Sequence, residues 1–251
     1  MQLFSSLRFD PLLNSISSND EFGPDVEGRK TSPFYMLSLH RDRILQAAEH
    51  FKYDEAIEVI RGPEGLRTIV QKLTEAISPQ SLGSLRVRIL VSPDGSITIE
   101  TNPAAAVTKE NLYPSRLPPP KSAPQMKASP LTGGALTLGD DDSVAGDPPN
   151  SNPWDVVLDQ KRTAATAFTS FKTTSRDMYN SARERAGIKD PAEKKEVLLV
   201  SDASGEIMEG SLTSPYFWRD GKWTTPAVSS GGQIGTTRRW ALEKGYVWIY
   251  A

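Results

Sequence analysis

The chain has 251 residues, with 29 basic and 31 acidic side chains and a net charge of -2, which provides no global field for nucleic acid or an anionic membrane. Its 37% hydrophobic content is enough for one large core or two modest ones. The absence of cysteine excludes disulfides, thiol nucleophiles and cysteine–metal sites, and the two histidines, His40 and His50, lie far from any carboxylate cluster with ligand spacing, so no metal is expected.

Met1-Gln2-Leu3-Phe4 leads into polar sequence without the basic start and apolar core of a signal peptide, and no apolar run is long enough to cross a membrane. A cytoplasmic protein is expected. Leu3 to Phe9 reads as a short strand. Tyr35 to Phe51 carries Met36, Leu39, Ile44, Leu45, Ala47 and Ala48 as an apolar stripe at helical spacing. A second helix is predicted from Gly62-Pro63-Glu64, where proline suits a first turn, and carries Leu66, Ile69, Val70, Leu73 and Ile77. Leu85 to Val91 and Ser96 to Thr101 alternate around Pro93-Asp94-Gly95, a hairpin pattern. Residues 1–103 therefore read as an α+β domain, helices covering an antiparallel sheet.

From 104 to 153 the sequence is dense in Pro, Gly, Ser and Ala, with Pro118-Pro119-Pro120, Pro148-Pro149 and the acidic Asp140-Asp141-Asp142. Few large apolar residues are available there to offset the entropy of ordering, so a flexible interdomain bridge is expected. Residues 154–251 read as a second, β-rich domain. Trp154 to Leu158 is strand-like, and Asp177 to Ala186 is helical with a stop at Gly187. Strands are predicted at Glu196 to Ser201, Ile207 to Met208 and Tyr216 to Trp218, separated by turns at Ser204-Gly205 and Asp220-Gly221. A helix from Thr237 to Lys244 ends at Gly245.

Three stretches of this second domain carry chemistry. Lys172, in Phe171-Lys172-Thr173-Thr174-Ser175-Arg176, supplies an amine with a cation, Arg176, four residues on. Glu209, in Met208-Glu209-Gly210-Ser211, supplies a carboxylate. Gly231-Gly232-Gln233-Ile234-Gly235-Thr236-Thr237 opens a helix and can present backbone N–H groups and hydroxyls to a phosphate. Each has an ordinary reading: a solvated lysine, a turn glutamate, a threonine-capped loop. Together they supply what a protein needs for pyridoxal 5'-phosphate: an amine to condense with its aldehyde, an acid at its ring nitrogen and a phosphate cradle. In the first domain, Arg43 is an alternative phosphate ligand or an exposed helical arginine paired with Asp42 or Glu49, and His40 reads as a core histidine.

The order of these segments resembles the class IV, fold-type IV pyridoxal-phosphate aminotransferase-like family. The strand ending in Glu-Gly-Ser, Thr225-Pro226, the Gly-Thr-Thr-Arg helix start and His40-Arg41-Asp42-Arg43-Ile44-Leu45 carry the resemblance. Within the family it is similar to the fungal aminodeoxychorismate lyases, through Leu3-Phe4-Ser5-Ser6-Leu7-Arg8-Phe9-Asp10-Pro11 and the Phe-x-x-Phe-Lys-Thr-Thr-x-Arg-x-x-Tyr run around Lys172. The resemblance implies a two-domain homodimeric enzyme holding pyridoxal phosphate in a cleft. By carry-over Lys172 would be the catalytic lysine and Glu209 the partner of the ring nitrogen. Arg43, Gly235, Thr236 and Thr237 would take the phosphate, Ser211, Thr213 and Ser214 would lie near the cofactor, and Ser6, Arg8 and Arg176 would face the substrate. The implied reaction converts 4-amino-4-deoxychorismate to 4-aminobenzoate and pyruvate, a step of folate synthesis. The alternatives are a class IV aminotransferase for branched-chain or D-amino acids and a truncated, non-catalytic homologue. The last of these reflects Gly245 to Ala251, where the family continues with further strands, so an incomplete C-terminal domain is expected.

Overall fold

The computed structural model describes residues 1–20, 32–77, 83–117, 119–120, 126–128, 135–137, 154–190 and 193–250; Pro118, Asp140-Asp141-Asp142 and Pro148-Pro149 of the expected bridge lie outside them. Strand β1 (Leu3–Phe9) leads through a 3-10 turn and the short α1 (Ser17–Asp20) to helices α2 (Leu37–Phe51), α3 (Asp54–Ile60) and α4 (Gly62–Ala76). The hairpin β2 (Leu85–Val91) and β3 (Ile97–Pro103) follows, and an antiparallel sheet of order β1-β2-β3 results.

Alternation along β1 decides what each face of this sheet does. Leu3 and Leu7 point into a core with Leu37, Ile44, Ala48, Ile69, Leu73, Val87 and Ile89, which the three helices close. The intervening Ser6 and Arg8 point the other way, and the register places Arg88 and Arg86 of β2 opposite them. One face of the sheet is thus oil and the other is cationic.

Beyond β3 come the single-turn α5 (Lys109–Leu112) and the two-stranded β4 (Met126–Ala128) and β5 (Ala135–Thr137). Part of the expected bridge is docked. Leu112 packs with Leu13 and Ile16, and Tyr113 lies 5.6 Å, centroid to centroid, from Trp240 and donates to Asn19 at 2.7 Å.

The second half contains β6 (Asp155–Leu158), the one-turn α6 (Ala167–Ser170), α7 (Asp177–Arg185), β7 (Lys195–Val200) and β8 (Ile207–Gly210). β6 runs parallel to β7 and β8 antiparallel to it, so this sheet is mixed, unlike the antiparallel β1-β2-β3 sheet. Tyr179 and Ala182 of α7 pack on Val197, Leu199 and Met208 of this sheet. The hairpin β9 (Phe217–Arg219) and β10 (Lys222–Pro226) turns at Asp220 and Gly221, both at positive φ, 50° and 75°. Helix α8 (Thr236–Glu243) and β11 (Trp248–Tyr250), parallel to β10, complete the described chain. A second core of Met36, the N-cap of α2, and Leu39 of α2 against Trp240, Ala241 and Val247 joins the two halves.

Candidate active site

The cationic face of the first sheet, the inner side of α2, the loop after β8 and the start of α8 enclose a cleft of about 740 Å³. Lys172 reaches it by main-chain pairing. The Phe4 N–H donates to the Lys172 carbonyl at 3.0 Å and the Thr174 N–H to the Gln2 carbonyl at 2.9 Å, so the segment after α6 adds to the free edge of β1. Phe171 fastens it from behind, its ring 4.5 Å from that of His50 and 5.9 Å from that of Phe51. Burial pushes the Lys172 amine down to about 7, helped by the nearby Arg43 and Arg176 cations and opposed by Glu209. An amine so placed is substantially neutral near pH 7, as a nucleophile and base requires.

Glu209 stands at the end of β8 and is buried. Burial raises its carboxyl to about 7, against the pull of hydrogen bonds from the Tyr179 hydroxyl, at 2.5 Å, and the Gln233 backbone N–H. Gly231 and Gly232 bring the loop close enough for that last contact: a Cβ on Gly232 would meet the Met208 carbonyl oxygen at 2.4 Å, so only glycine lets the loop lie this close to β8.

Arg43 turns inward from α2 rather than pairing with Asp42, which is taken by Arg41 and Arg239. It donates to the Ser5 hydroxyl, its Nε is buried without a partner, and burial lowers its guanidinium to about 10. An unpartnered buried N–H on a cation is a place prepared for an anion. The Ser5 hydroxyl also meets His40 Nδ1 at 2.8 Å, and burial between Arg43 and Lys172 holds His40 well below the usual imidazole range, hence neutral. Beside these groups the N-terminus of α8 opens with Gly235 as N-cap and no side-chain cap, so its first N–H groups remain available. Thr236 and Thr237 line the cleft there.

The remaining residues named from the sequence lie on the same cleft. Ser211, Thr213 and Ser214 form the wall after β8, Ser6 and Arg8 the floor, and Arg176 the approach to Glu209. Arg8 is ion-paired with Asp10 at 2.7 Å, and Arg176 donates to the Ser211 carbonyl at 2.8 Å. The Ser6 hydroxyl is buried without a partner.

Four further residues of the site were not singled out in the sequence. Arg86 lines the cleft and is detectable only once the β1–β2 register sets it beside Arg8. Tyr179 and Gln233 grip Glu209, and Tyr179 is the closing residue of the motif around Lys172. Glu196, at the start of β7, is buried and accepts from the Ser211 N–H at 3.0 Å, the Ser211 hydroxyl at 2.6 Å, the Leu212 N–H at 3.1 Å and the Thr213 hydroxyl at 2.8 Å. It anchors the wall loop, and no local pattern distinguishes it from a solvated strand glutamate.

The family model described as amino-transferase class IV matches residues 27–247. The chain belongs to this family. Class IV amino-transferase-type enzymes depend on pyridoxal phosphate, and the orphaned Arg43 Nε, the uncapped α8 start and the presence of Lys172 and Glu209 on one cleft fit that cofactor. The chain is 28% identical over 239 residues to the aminodeoxychorismate lyase of Saccharomyces cerevisiae, a match covering 85% of this chain and 59% of the yeast protein. Among solved structures it is similar to a Mesorhizobium loti protein assigned as an amino-acid aminotransferase, with TM-score 0.56 and 19% identity, covering 99% of this chain and 86% of that one. It is also similar to the branched-chain amino acid aminotransferase of Escherichia coli, with TM-score 0.51 and 15% identity over 99% of this chain and 66% of that one. These structural likenesses establish the class IV fold, α+β and of fold type IV.

Proposed function

We propose that this chain is a pyridoxal-phosphate-dependent 4-amino-4-deoxychorismate lyase, releasing pyruvate and 4-aminobenzoate. The observation that carries the reading is the meeting of Lys172, Glu209 and the Arg43–α8 anion cradle in one cleft, joined to the likeness to the yeast lyase. When bound, pyridoxal phosphate supplies an aldehyde that condenses with amines and a ring that draws electron density from the attached carbon. Arg43, Thr236, Thr237 and the backbone after Gly235 would hold its phosphate, and Glu209 would face its ring nitrogen. Lys172, neutral near pH 7, would be the amine that holds the aldehyde and, once displaced by the substrate amine, the base at the amine-bearing carbon. The carbon–oxygen bond to the enolpyruvyl group breaks as the ring becomes aromatic, and the departing enol takes up a proton to become pyruvate.

The charge on the cleft favours such a substrate over a monocarboxylic amino acid. Its lining carries Arg8, Arg43, Arg86, Lys172 and Arg176 against a single acid, Glu209, and with Arg43 engaged by phosphate and Arg8 by Asp10, Arg86 and Arg176 are left to face the two carboxylates of aminodeoxychorismate. The test is a visible spectrum of the protein with pyridoxal phosphate beside Lys172→Ala, followed by product assay. A band lost in the variant, with pyruvate and 4-aminobenzoate released without an oxo-acid, is expected. Turnover only with 2-oxoglutarate would make the protein an aminotransferase, and no band in the folded wild type would overturn the reading.

A further inference from the structure

Tyr179 is a large side chain, 1% exposed, that the packing of α7 on β7 and β8 accounts for only in part. Its ring fills the core, but its hydroxyl leaves the core for Glu209. Two acceptors are in reach of that one proton: Glu209 Oε1 at 2.5 Å and the Thr169 carbonyl at 3.3 Å. The shorter contact, to a carboxylate, takes it. Gln233 Nε2 donates to the phenol oxygen at 3.1 Å, which orients the hydroxyl and strengthens it as a donor, while the Gln233 backbone N–H donates to Glu209 directly. The Arg176 guanidinium lies over the Tyr179 ring, 4.2 Å from its centre.

We propose that Tyr179 is the positioning residue of Glu209: oriented by Gln233, its phenol holds Oε1 and keeps Glu209 a carboxylate, an acceptor for a protonated ring nitrogen rather than a neutral acid. The inference rests on the cofactor reading above for its purpose, not for its geometry. The balance at Glu209 is close. Burial favours the neutral acid; the groups facing it that favour the carboxylate are Tyr179 and Arg176 from α7 and its N-cap, Lys172 from the edge of β1, Arg43 from α2 and the Gln233 N–H from the loop before α8. The charges lie at longer range, whereas the phenol makes the shortest contact. A proton resting on Glu209 would be a proton withheld from the ring nitrogen, which would weaken the electron sink while leaving the binding of an amine untouched.

The test is a pH titration of Glu209 by NMR in cofactor-free protein carrying carboxyl-labelled glutamate, the signal assigned with Glu209→Gln. In Tyr179→Phe, which keeps the ring and removes only the hydroxyl, the midpoint is expected to rise by about one unit or more. Gln233→Leu, altering a side chain at the cleft rather than in the core, is expected to move it the same way by less. A merely structural Tyr179 would change the melting temperature but not this midpoint. Folded Tyr179→Phe titrating within about 0.3 unit of wild type would overturn the proposal. Should that variant not fold, Gln233→Leu decides alone: an upward shift upholds the proposal and an unchanged midpoint overturns it. Failure of wild-type protein to bind pyridoxal phosphate would remove the proposed function and leave the titration result standing.

Discussion

Replacing Glu196 by alanine tests whether the wall of the cleft hangs on one buried carboxylate. Four donors from Ser211, Leu212 and Thr213 converge on its oxygens. They are not equal. The Ser211 N–H also reaches the Val197 carbonyl at 2.9 Å and keeps that bond in the variant, and exposed Leu212 and Thr213 can turn to water. What cannot be replaced is the acceptor for the Ser211 hydroxyl, in a residue 2% exposed, together with the volume of the side chain. A hydrogen bond to a charged group contributes roughly 1.5–3 kcal/mol, and the cavity adds to that; relief of a buried charge offsets part of the sum. The expected loss in stability is about 2–3 kcal/mol, read as a lower urea midpoint at unchanged slope. Glu196→Gln, which retains one acceptor oxygen, should lose about half as much. Both variants should bind pyridoxal phosphate more weakly, because the loop they release lines the cleft. A loss below about 1 kcal/mol for Glu196→Ala would show that the loop is held by other means, and the reasoning would fail.

The ionisation of Lys172 gives a second expectation. Its folded value, about 7 against 10.5 for a free lysine, means that the unfolded chain binds the proton more tightly, so the protein gains stability as pH rises between those values. Lys172→Met removes the penalty and should therefore be more stable than wild type at pH 7, by roughly 1–3 kcal/mol after solvent screening in an open cleft, with the gap closing towards pH 10.5. A gap that widens or stays constant in urea unfolding across this range would contradict the placement of the amine. Gly232→Ala should lower the melting temperature by several degrees, because its Cβ would sit 2.4 Å from the Met208 oxygen and backbone must move; an unchanged melting temperature would refute the close approach.

Much of the scaffold could be read from local patterns. The strand from Leu3 to Phe9, the stripe on α2 and the Asp94-Gly95 hairpin are each decided by a few neighbouring residues, and they occur where expected. α3 was missed because the break before it is disguised: Lys52 ends α2 in the left-handed conformation, φ 57°, where glycine usually announces a helix end. β10 was missed for another reason. Its inward residues, Thr224 and Thr225, are polar, and they are buried because their hydroxyls donate to the Phe217 and Pro215 carbonyls at 3.0 and 3.1 Å. Of the site, the amine, the carboxylate and the helix start were visible as residue types in order. Tyr179, Gln233 and Glu196 were not, since what distinguishes each is a partner 15 to 54 residues away, and periodicity within one element carries no trace of it.

The hydrogen bonds that seat Lys172 on the edge of β1 also govern how this molecule can open. The lysine comes from the second half of the chain, yet its backbone is stitched at Gln2, Leu3 and Phe4 to the strand that also carries Ser6 and Arg8. A hinge swinging the halves apart would unzip that seam, so the amine and the cationic floor travel as one body. Any opening that spares this seam is confined to the side chains and loops at the rim of the cleft.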